Sequence, residues 1–324
     1  MSSIIENGMY VSLKREWYAV IESDIHLFRT NVKAKDNKYE FTINKFLNNV
    51  FLNMYDGRKP LDSAKRTRNI GAKSFNIKIN NEIKEKLKKA GFGEDDFISD
   101  ISAYYMQFIE EYCKLPLNER EKVFYKQTIS ELNDAIELKY NLKIEKNNLY
   151  NGYIFPYKIK QSDENNGLYI TGFRLSKEYV YRGTICIPIR KICNIERVKK
   201  ITHETQIKFP NYSKIQSYKD MQEYIENRFV TDGILYLSDI LRDVTVKLSD
   251  KGIENLYSRT QYRPRNISFD EQDEHIIHFK ATLLQTFMYF FKFGSDAQIL
   301  EPQKYREHFF NQYEKAFKLY SQNI

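Results

Sequence analysis

The chain of 324 residues holds only three cysteines, one tryptophan, 12 glycines and 7 prolines. Cys113, Cys186 and Cys193 show no CxxC spacing. As a set they read as small core hydrophobes in a reducing compartment, not as a disulfide frame or a zinc site. No apolar run approaches the roughly 18–20 residues that a membrane helix needs. The first residues, Met-Ser-Ser-Ile-Ile-Glu-Asn, lack a charged segment followed by an apolar one, so no signal peptide is expected. The expectation is a cytoplasmic protein without a membrane segment.

Catalytic signatures are missing too. There is no Gly-rich phosphate loop ending in Lys-Ser/Thr and no GxSxG. His275 and His278 stand three apart in a strand-like run, which sends them to opposite faces and makes poor metal geometry. His203-Glu204 is an isolated pair. Carboxylates are abundant, but no spacing singles out an acid/base couple. A non-enzymatic protein without metal or cofactor is expected.

What the chain has is aromatic and positive. It carries 25 Tyr and 22 Phe, a net charge of +8 and a pI of about 9.0. A basic protein is drawn to polyanions. The lysine excess also has a bland source, since Lys, Asn, Ile and Tyr together are what an AT-rich coding sequence favours.

Met9–Leu13 alternates, with Tyr10, Ser12 and Lys14 opposite Met9, Val11 and Leu13. Helical spacing follows over 15–28 and over 41–54. The order then recurs about 65 residues later, an internal duplication: alternation at 74–79, with Ser74, Asn76 and Lys78 outward, a short helix at 81–90, and a longer one at 97–113. Between the copies, 57–73 carries Arg58, Lys59, Lys65, Arg66, Arg68 and Lys73 against Asp62. A solvated charge run is the default reading, and a phosphate grip is the other. Pro116 closes the second copy, and Asn118 can cap one long helix to about Leu138.

This duplicated pattern resembles the ribbon-helix-helix family, whose paired strands read DNA in the major groove. The resemblance implies a built-in pseudo-dimer with Tyr10, Ser12, Lys14, Asn76 and Lys78 as outward, DNA-facing residues. Glu94, Asp95 and Asp96 depart from it. They guard a helix start that would otherwise attract phosphate.

From Tyr153 to Ile192, three apolar runs are separated by turn residues, with aromatics and arginines interleaved. Arg174, Lys177, Arg182, Arg190, Lys191, Arg197, Lys199 and Lys200 concentrate charge there, and Tyr157, Tyr169, Tyr179 and Tyr181 supply flat faces. Single-stranded nucleic acid asks for this mixture, because cations track the backbone while bases stack at roughly 1–3 kcal/mol each. Tyr169 has a second reading as a core tyrosine, since it alternates with Leu168 and Ile170. Arg190 and Lys191 alternate, so that one would face a ligand and the other solvent.

Phe155-Pro-Tyr-Lys-Ile159, Leu168-Tyr-Ile170 and Thr184–Ile192 resemble the signature strands of a WYL domain, an Sm-like β-barrel. Leu168 stands in place of the signature Trp, and Pro188 in place of an arginine of the last strand. The β-α-β-β-α-β-α order over 211–324 suggests a ferredoxin-like α/β layer. Within it, Phe293–Pro302 resembles the C-terminal extension that accompanies WYL domains, which implies a homodimer. The reading is thus an α+β multidomain chain: a duplicated ribbon-helix-helix-like arm over 1–115, a linker helix over 116–145, a WYL domain over 146–210 and a dimerisation extension over 211–324.

A ribbon-helix-helix arm in this order resembles the WYL accessory proteins of type VI-D CRISPR loci. That resemblance implies a non-catalytic protein that binds single-stranded RNA and enhances an RNA-guided RNA-cleaving effector. The RNA-contacting residues would be Tyr157, Lys158, Tyr169, Arg174, Arg182, Arg190 and Lys191. The alternative is a ligand-sensing transcription regulator whose arm binds duplex DNA. A third reading is a dimeric adaptor that docks onto another protein.

Overall fold

A computed structural model describes residues 8–28, 42–60, 73–92, 98–146, 150–200, 206–211, 214–237 and 241–321. It is a mixed α+β chain with three sheets and, among the described residues, ten α-helices. It divides into two compact units. The first comprises Met1–Glu137, Lys143–Asn151 and Pro188–Arg197; the second comprises Leu138–Leu142, Gly152–Ile187 and Val198–Ile324.

In the first unit, β1 (Met9–Leu13) pairs antiparallel with β2 (Lys73–Ile77), with Tyr10 opposite Asn76 and Ser12 opposite Ser74. The alternation of β1 is strict: Met9, Val11 and Leu13 are buried, while Tyr10 and Ser12 are exposed. The buried row closes over α1 (Arg15–Phe28), α2 (Ile43–Met54), α3 (Asn81–Lys89) and α4 (Ile98–Lys114). Aromatic rings fill this core, for example Phe51 stacked on Tyr105 with centroids 4.7 Å apart. Buried Asp24 is held from two sides: Arg120 donates to both its oxygens at 2.6 and 3.1 Å, and the Tyr112 hydroxyl donates at 2.8 Å.

The long helix expected from Asn118 to Leu138 is two helices, α5 (Leu117–Phe124) and α6 (Lys126–Glu137). Pro116, not Asn118, is the N-cap, and no side chain caps this helix. The break at Tyr125 has a packing cause. Asn49 and Asn53 of α2 donate to the carbonyls of Phe124 and Val123 at 3.2 and 2.9 Å, satisfying groups that a continuing helix would have used. Tyr125 is buried against Phe28 and Phe124, and its hydroxyl donates to the Phe28 carbonyl at 3.2 Å.

A five-stranded sheet has the order β6-β5-β4-β3-β7, from β3 (Tyr140–Lys146), β4 (Tyr150–Gln161), β5 (Leu168–Leu175), β6 (Tyr181–Pro188) and β7 (Asn194–Lys200). Among the described residues β6 and β7 do not pair, so the sheet is open and the closed barrel expected from the sequence is not formed. The run read as one strand, 184–192, stops at Pro188, which has no N–H to continue a ladder. Ile189–Lys191 then forms a single 3₁₀ turn. In the second unit, β4 and β5 pair antiparallel with a bulge between Pro156 and Lys158. Gly172 lies opposite Pro156, and a Cβ there would sit 2.3 Å from the Phe155 carbonyl oxygen.

The second unit continues with α7 (Tyr218–Thr231), whose start is a capping box between Ser217 and Asp220. Next come β8 (Arg242–Leu248), α8 (Asp250–Ser258), β9 (Ser268–Phe269), β10 (Ile276–Ala281), α9 (Leu283–Phe290), β11 (Ala297–Glu301) and α10 (Gln303–Ser321). Their sheet has the order β11-β8-β10-β9 with antiparallel neighbours. Alternate residues of β8 and β10 (Val244, Val246, Leu248, Ile277, Phe279, Ala281) are buried with Phe290, Phe293 and Phe309 in one core.

Candidate nucleic-acid interface

The second unit holds a cavity of about 690 Å³ whose walls come from β5, β6, α7, β8, α9 and α10. Arg174 stands near the end of β5 and Arg182 near the start of β6. Along β6, Arg182 is exposed between buried Tyr181 and half-buried Gly183. Gly183 has φ +116°, a backbone shape that side-chain-bearing residues rarely adopt. Arg242 opens β8, and Lys304, Tyr305 and His308 lie on one side of α10. Among the described residues, no Asp or Glu lines the cavity.

Arg228 of α7 has a different duty. It is buried, and its Nε donates to Asp232 at 2.8 Å while its terminal nitrogens donate to the carbonyls of Tyr236 and Leu237 at 2.7 and 3.2 Å. Thr184 Oγ1 donates to the same Leu237 carbonyl at 2.5 Å. Arg228 is neutralised by Asp232 and holds the cavity wall. The charge that faces the space comes from Arg174, Arg182, Arg242 and Lys304.

The aromatic residues of the lining are Tyr181, Tyr224, Phe287 and Tyr305, of which Tyr181 and Tyr305 are buried in the wall. Burial pushes the Tyr181 hydroxyl up to about 12, so it is a neutral donor at physiological pH. Tyr224 is the exposed member, with Arg228 5.7 Å from its ring centre. Chemically, the site offers guanidinium and ammonium donors for phosphate oxygens beside flat apolar faces.

The residues singled out from the sequence separate into three groups. Arg174 and Arg182 line the cavity. Tyr157 and Lys158 sit at the β4 bulge and both donate to Glu226 of α7, Tyr157 at 2.8 Å. Burial alone would raise Glu226, but the hydrogen bonds from Lys158 and Tyr157 hold it below the usual carboxylate range. Burial, then Glu226, pushes the Tyr157 hydroxyl up to about 12. Lys158 therefore carries a paired charge. Tyr169 is 5% exposed, packs in the core of this unit and accepts a hydrogen bond from Asn165 Nδ2 at 2.7 Å. It is the core tyrosine of the two readings and has no open face on which to stack a base. Arg190 and Lys191 lie in the 3₁₀ turn, where strand alternation does not apply, and are not among the cavity's lining residues.

On the ribbon, Tyr10 is 72% exposed, and Ser12, Ser74 and Asn76 are exposed beside it. The Ser12 and Ser74 hydroxyls lie 2.9 Å apart. Lys14 and Lys78 fall one residue beyond the ends of β1 and β2. The Lys14 ammonium lies 4.5 Å from the Trp17 ring centre. In the stretch between the copies, Arg58 is forked between Asp56 and Glu111 and stacks over Phe108 at 4.7 Å. That arginine is a structural clamp. Residues 61–72, Glu94–Asp96 and His203-Glu204 lie outside the described residues. Among the described residues no group of three His, Cys, Asp or Glu side chains could hold a metal ion, and no helix is long and apolar enough to cross a membrane.

Sequence reasoning missed Tyr224, Arg242, Lys304 and His308. No motif carries them, and only the fold brings them to one cavity with Arg174 and Arg182.

No family model matches the chain, and no curated protein matches it. Among solved structures, the chain is similar to a CRISPR Cas-related protein, with a TM-score of 0.71 at 15% identity over 98% of this chain and 94% of that one. The two share a fold over nearly their whole length. A proteasome accessory factor B/C from Arthrobacter aurescens matches at a TM-score of 0.30 and 11% identity, over 82% of this chain and 34% of that one.

Proposed function

We propose that this chain is a non-catalytic, cytoplasmic accessory protein of a CRISPR system that binds single-stranded RNA and enhances a type VI-D RNA-cleaving effector. One observation carries the reading: Arg174, Arg182, Arg242 and Lys304 line a cavity in which, among the described residues, no carboxylate takes part, beside the exposed ring of Tyr224. Cations for the backbone and flat faces for bases are what an unpaired strand needs. The shared fold with a CRISPR Cas-related protein supports the setting. The sheet order β11-β8-β10-β9 supports a ferredoxin-like C-terminal layer, and the β1–β2 ribbon supports the ribbon-helix-helix reading of the arm.

The test is a titration of labelled single-stranded RNA, single-stranded DNA and duplex DNA across salt. RNA should bind tightest, with log affinity falling against log salt at roughly 0.7 per phosphate neutralised. Duplex DNA competing as well as RNA would sink the proposal.

A specific observation favours one second reading. Tyr10, Ser12, Ser74 and Asn76 form an exposed hydrogen-bonding row on a two-stranded ribbon, the arrangement with which such ribbons read base edges. In that case the chain is a transcription regulator, and Tyr10→Ala with Asn76→Ala would lower duplex affinity and leave RNA untouched.

We also infer a homodimer. Phe310, Phe317, Leu319 and Tyr320 of α10 are each at least 65% exposed. Light scattering on Phe310→Asp/Phe317→Asp should show a monomer, and an unchanged mass would place any dimer contact elsewhere.

A further inference from the structure

A second basic and aromatic cluster lies in the same unit, on residues that do not line the cavity. Tyr257, in the last turn of α8, is 62% exposed, and Phe269 of β9 is 40% exposed. Their rings stack with centroids 6.5 Å apart and planes 19° apart, making a continuous open aromatic face. The stretch between them contains Arg259, Arg263 and Arg265, and no Asp or Glu occurs from 255 to 269.

The cations are placed over rings, not over carboxylates. The Arg263 guanidinium lies 6.0 Å from the Tyr257 ring centre, Arg259 5.6 Å from Phe293, and the Lys292 ammonium 5.7 Å from Tyr262. None of Arg259, Arg263 and Lys292 is ion-paired among the described residues. Arg259 has a local duty as the C-cap of α8, and Arg265 donates to the Val230 carbonyl. Arg263 and Lys292 have no such acceptor. The loop is held in shape by buried Pro264 and by the Tyr289 hydroxyl, which donates to the Arg259 carbonyl at 2.8 Å.

We propose that Tyr257 and Phe269, with the Arg263 guanidinium beside Tyr257, form a stacking platform for an unpaired base of a single-stranded nucleic acid, separate from the cavity. The charge argues for the occupant. An exposed aromatic pair alone suits many partners, but one whose connecting stretch carries three arginines and no carboxylate, with Arg263 at the Tyr257 ring, suits a polyanion that also carries flat apolar groups. Duplex nucleic acid has no free base face to offer. The proposal rests on the nucleic-acid reading above and deepens it to two contacts on one strand.

The test uses the full chain and a short single-stranded RNA with a fluorescent adenine analogue whose emission falls on stacking. Wild type should quench it. Tyr257→Leu should abolish the quench and weaken binding about tenfold, and Tyr257→Phe should keep both. Arg263→Gln should lower the salt slope by about 0.7. Circular dichroism should be unchanged in all three, since Tyr257 is exposed. Full quenching in Tyr257→Leu would overturn the proposal, as would wild type that binds RNA without quenching. The cavity is tested apart, with Arg174→Glu/Arg182→Glu. If that variant keeps wild-type affinity while Tyr257→Leu loses it, the cavity reading fails and the platform stands. If it binds weakly but still quenches at saturation, both stand.

Discussion

On the ribbon, the exposed groups are a phenol, two hydroxyls and an amide: Tyr10, Ser12, Ser74 and Asn76. Lysines stand beside them, Lys73 3.8 Å from the Tyr18 ring centre, Lys14 4.5 Å from that of Trp17, and exposed Lys78 just beyond β2. In the cavity of the other unit, two arginines from neighbouring strands, a third arginine and a lysine line one space with no carboxylate among the described residues. Both surfaces can form hydrogen bonds. The cavity gathers several cations in one place, and such charge makes up most of a protein's grip on a phosphate backbone. The outward row of the ribbon is neutral and its lysines lie at the strand ends, so it is better suited to refine recognition of a strand held elsewhere than to capture one.

The contrast breaks first where the cavity is built. Arg228→Ala removes the partner of Asp232, whose side chain is only 10% exposed, and two donors from the Tyr236 and Leu237 carbonyls. Leaving such a charge uncompensated costs about 3–5 kcal/mol. Urea unfolding of the second unit should shift by that much, and RNA binding should fall with it. A loss under 1 kcal/mol, on the order of an exposed pair, would mean that Arg228 does not hold the wall.

Next comes the charge itself. Arg242→Gln should weaken single-stranded RNA by about tenfold, the worth of one charge-assisted hydrogen bond, with the fold intact by circular dichroism. Lys158→Gln is the control in the same assay. Its charge is paired with Glu226, so its loss should change affinity by less than about twofold. Equal effects of the two would remove the distinction between paired and facing cations.

The ribbon should matter least for RNA. Tyr10→Ala with Asn76→Ala should leave RNA affinity within about twofold, since no cation is lost. A tenfold loss would move the RNA site to the first unit.

The smallest effect is a pH test away from both surfaces. The hydrogen bond from the His275 ring to the Asp250 carboxylate, with Asp273 and Glu274 nearby, raises His275 above the ordinary histidine range. A raised folded value means that this contribution to stability is complete below the unfolded value of about 6.5 and is lost as pH rises through the folded one. In an NMR titration His275 should titrate above the free imidazole, and Asp250→Asn should bring it down. A value at or below that of free imidazole would contradict the contact.

Much of the local structure was legible in the sequence. Period-two alternation marked β1, and Ser217 before an apolar helix marked the start of α7. Two readings went astray for physical reasons. The helix after Pro116 breaks because Asn49 and Asn53, over 60 residues away, satisfy its last carbonyls. The strand through 184–192 ends because Pro188 cannot donate. Of the two readings of Tyr169 the core one holds, its ring packed in the unit's core and its hydroxyl accepting from half-buried Asn165. Of the candidate site, Arg174 and Arg182 were legible because they lie in neighbouring strands of one basic, aromatic segment. Tyr224, Arg242, Lys304 and His308 were not, because each belongs to a separate element that only tertiary packing brings to the cavity.

The most direct measurement is the salt dependence of single-stranded RNA binding by the wild type and by Arg174→Glu/Arg182→Glu. The account predicts that charge reversal lowers affinity by about a hundredfold or more at low salt and flattens the slope of log affinity against log salt by at least about 1.4, with circular dichroism unchanged. Wild-type affinity and slope in that variant would contradict it.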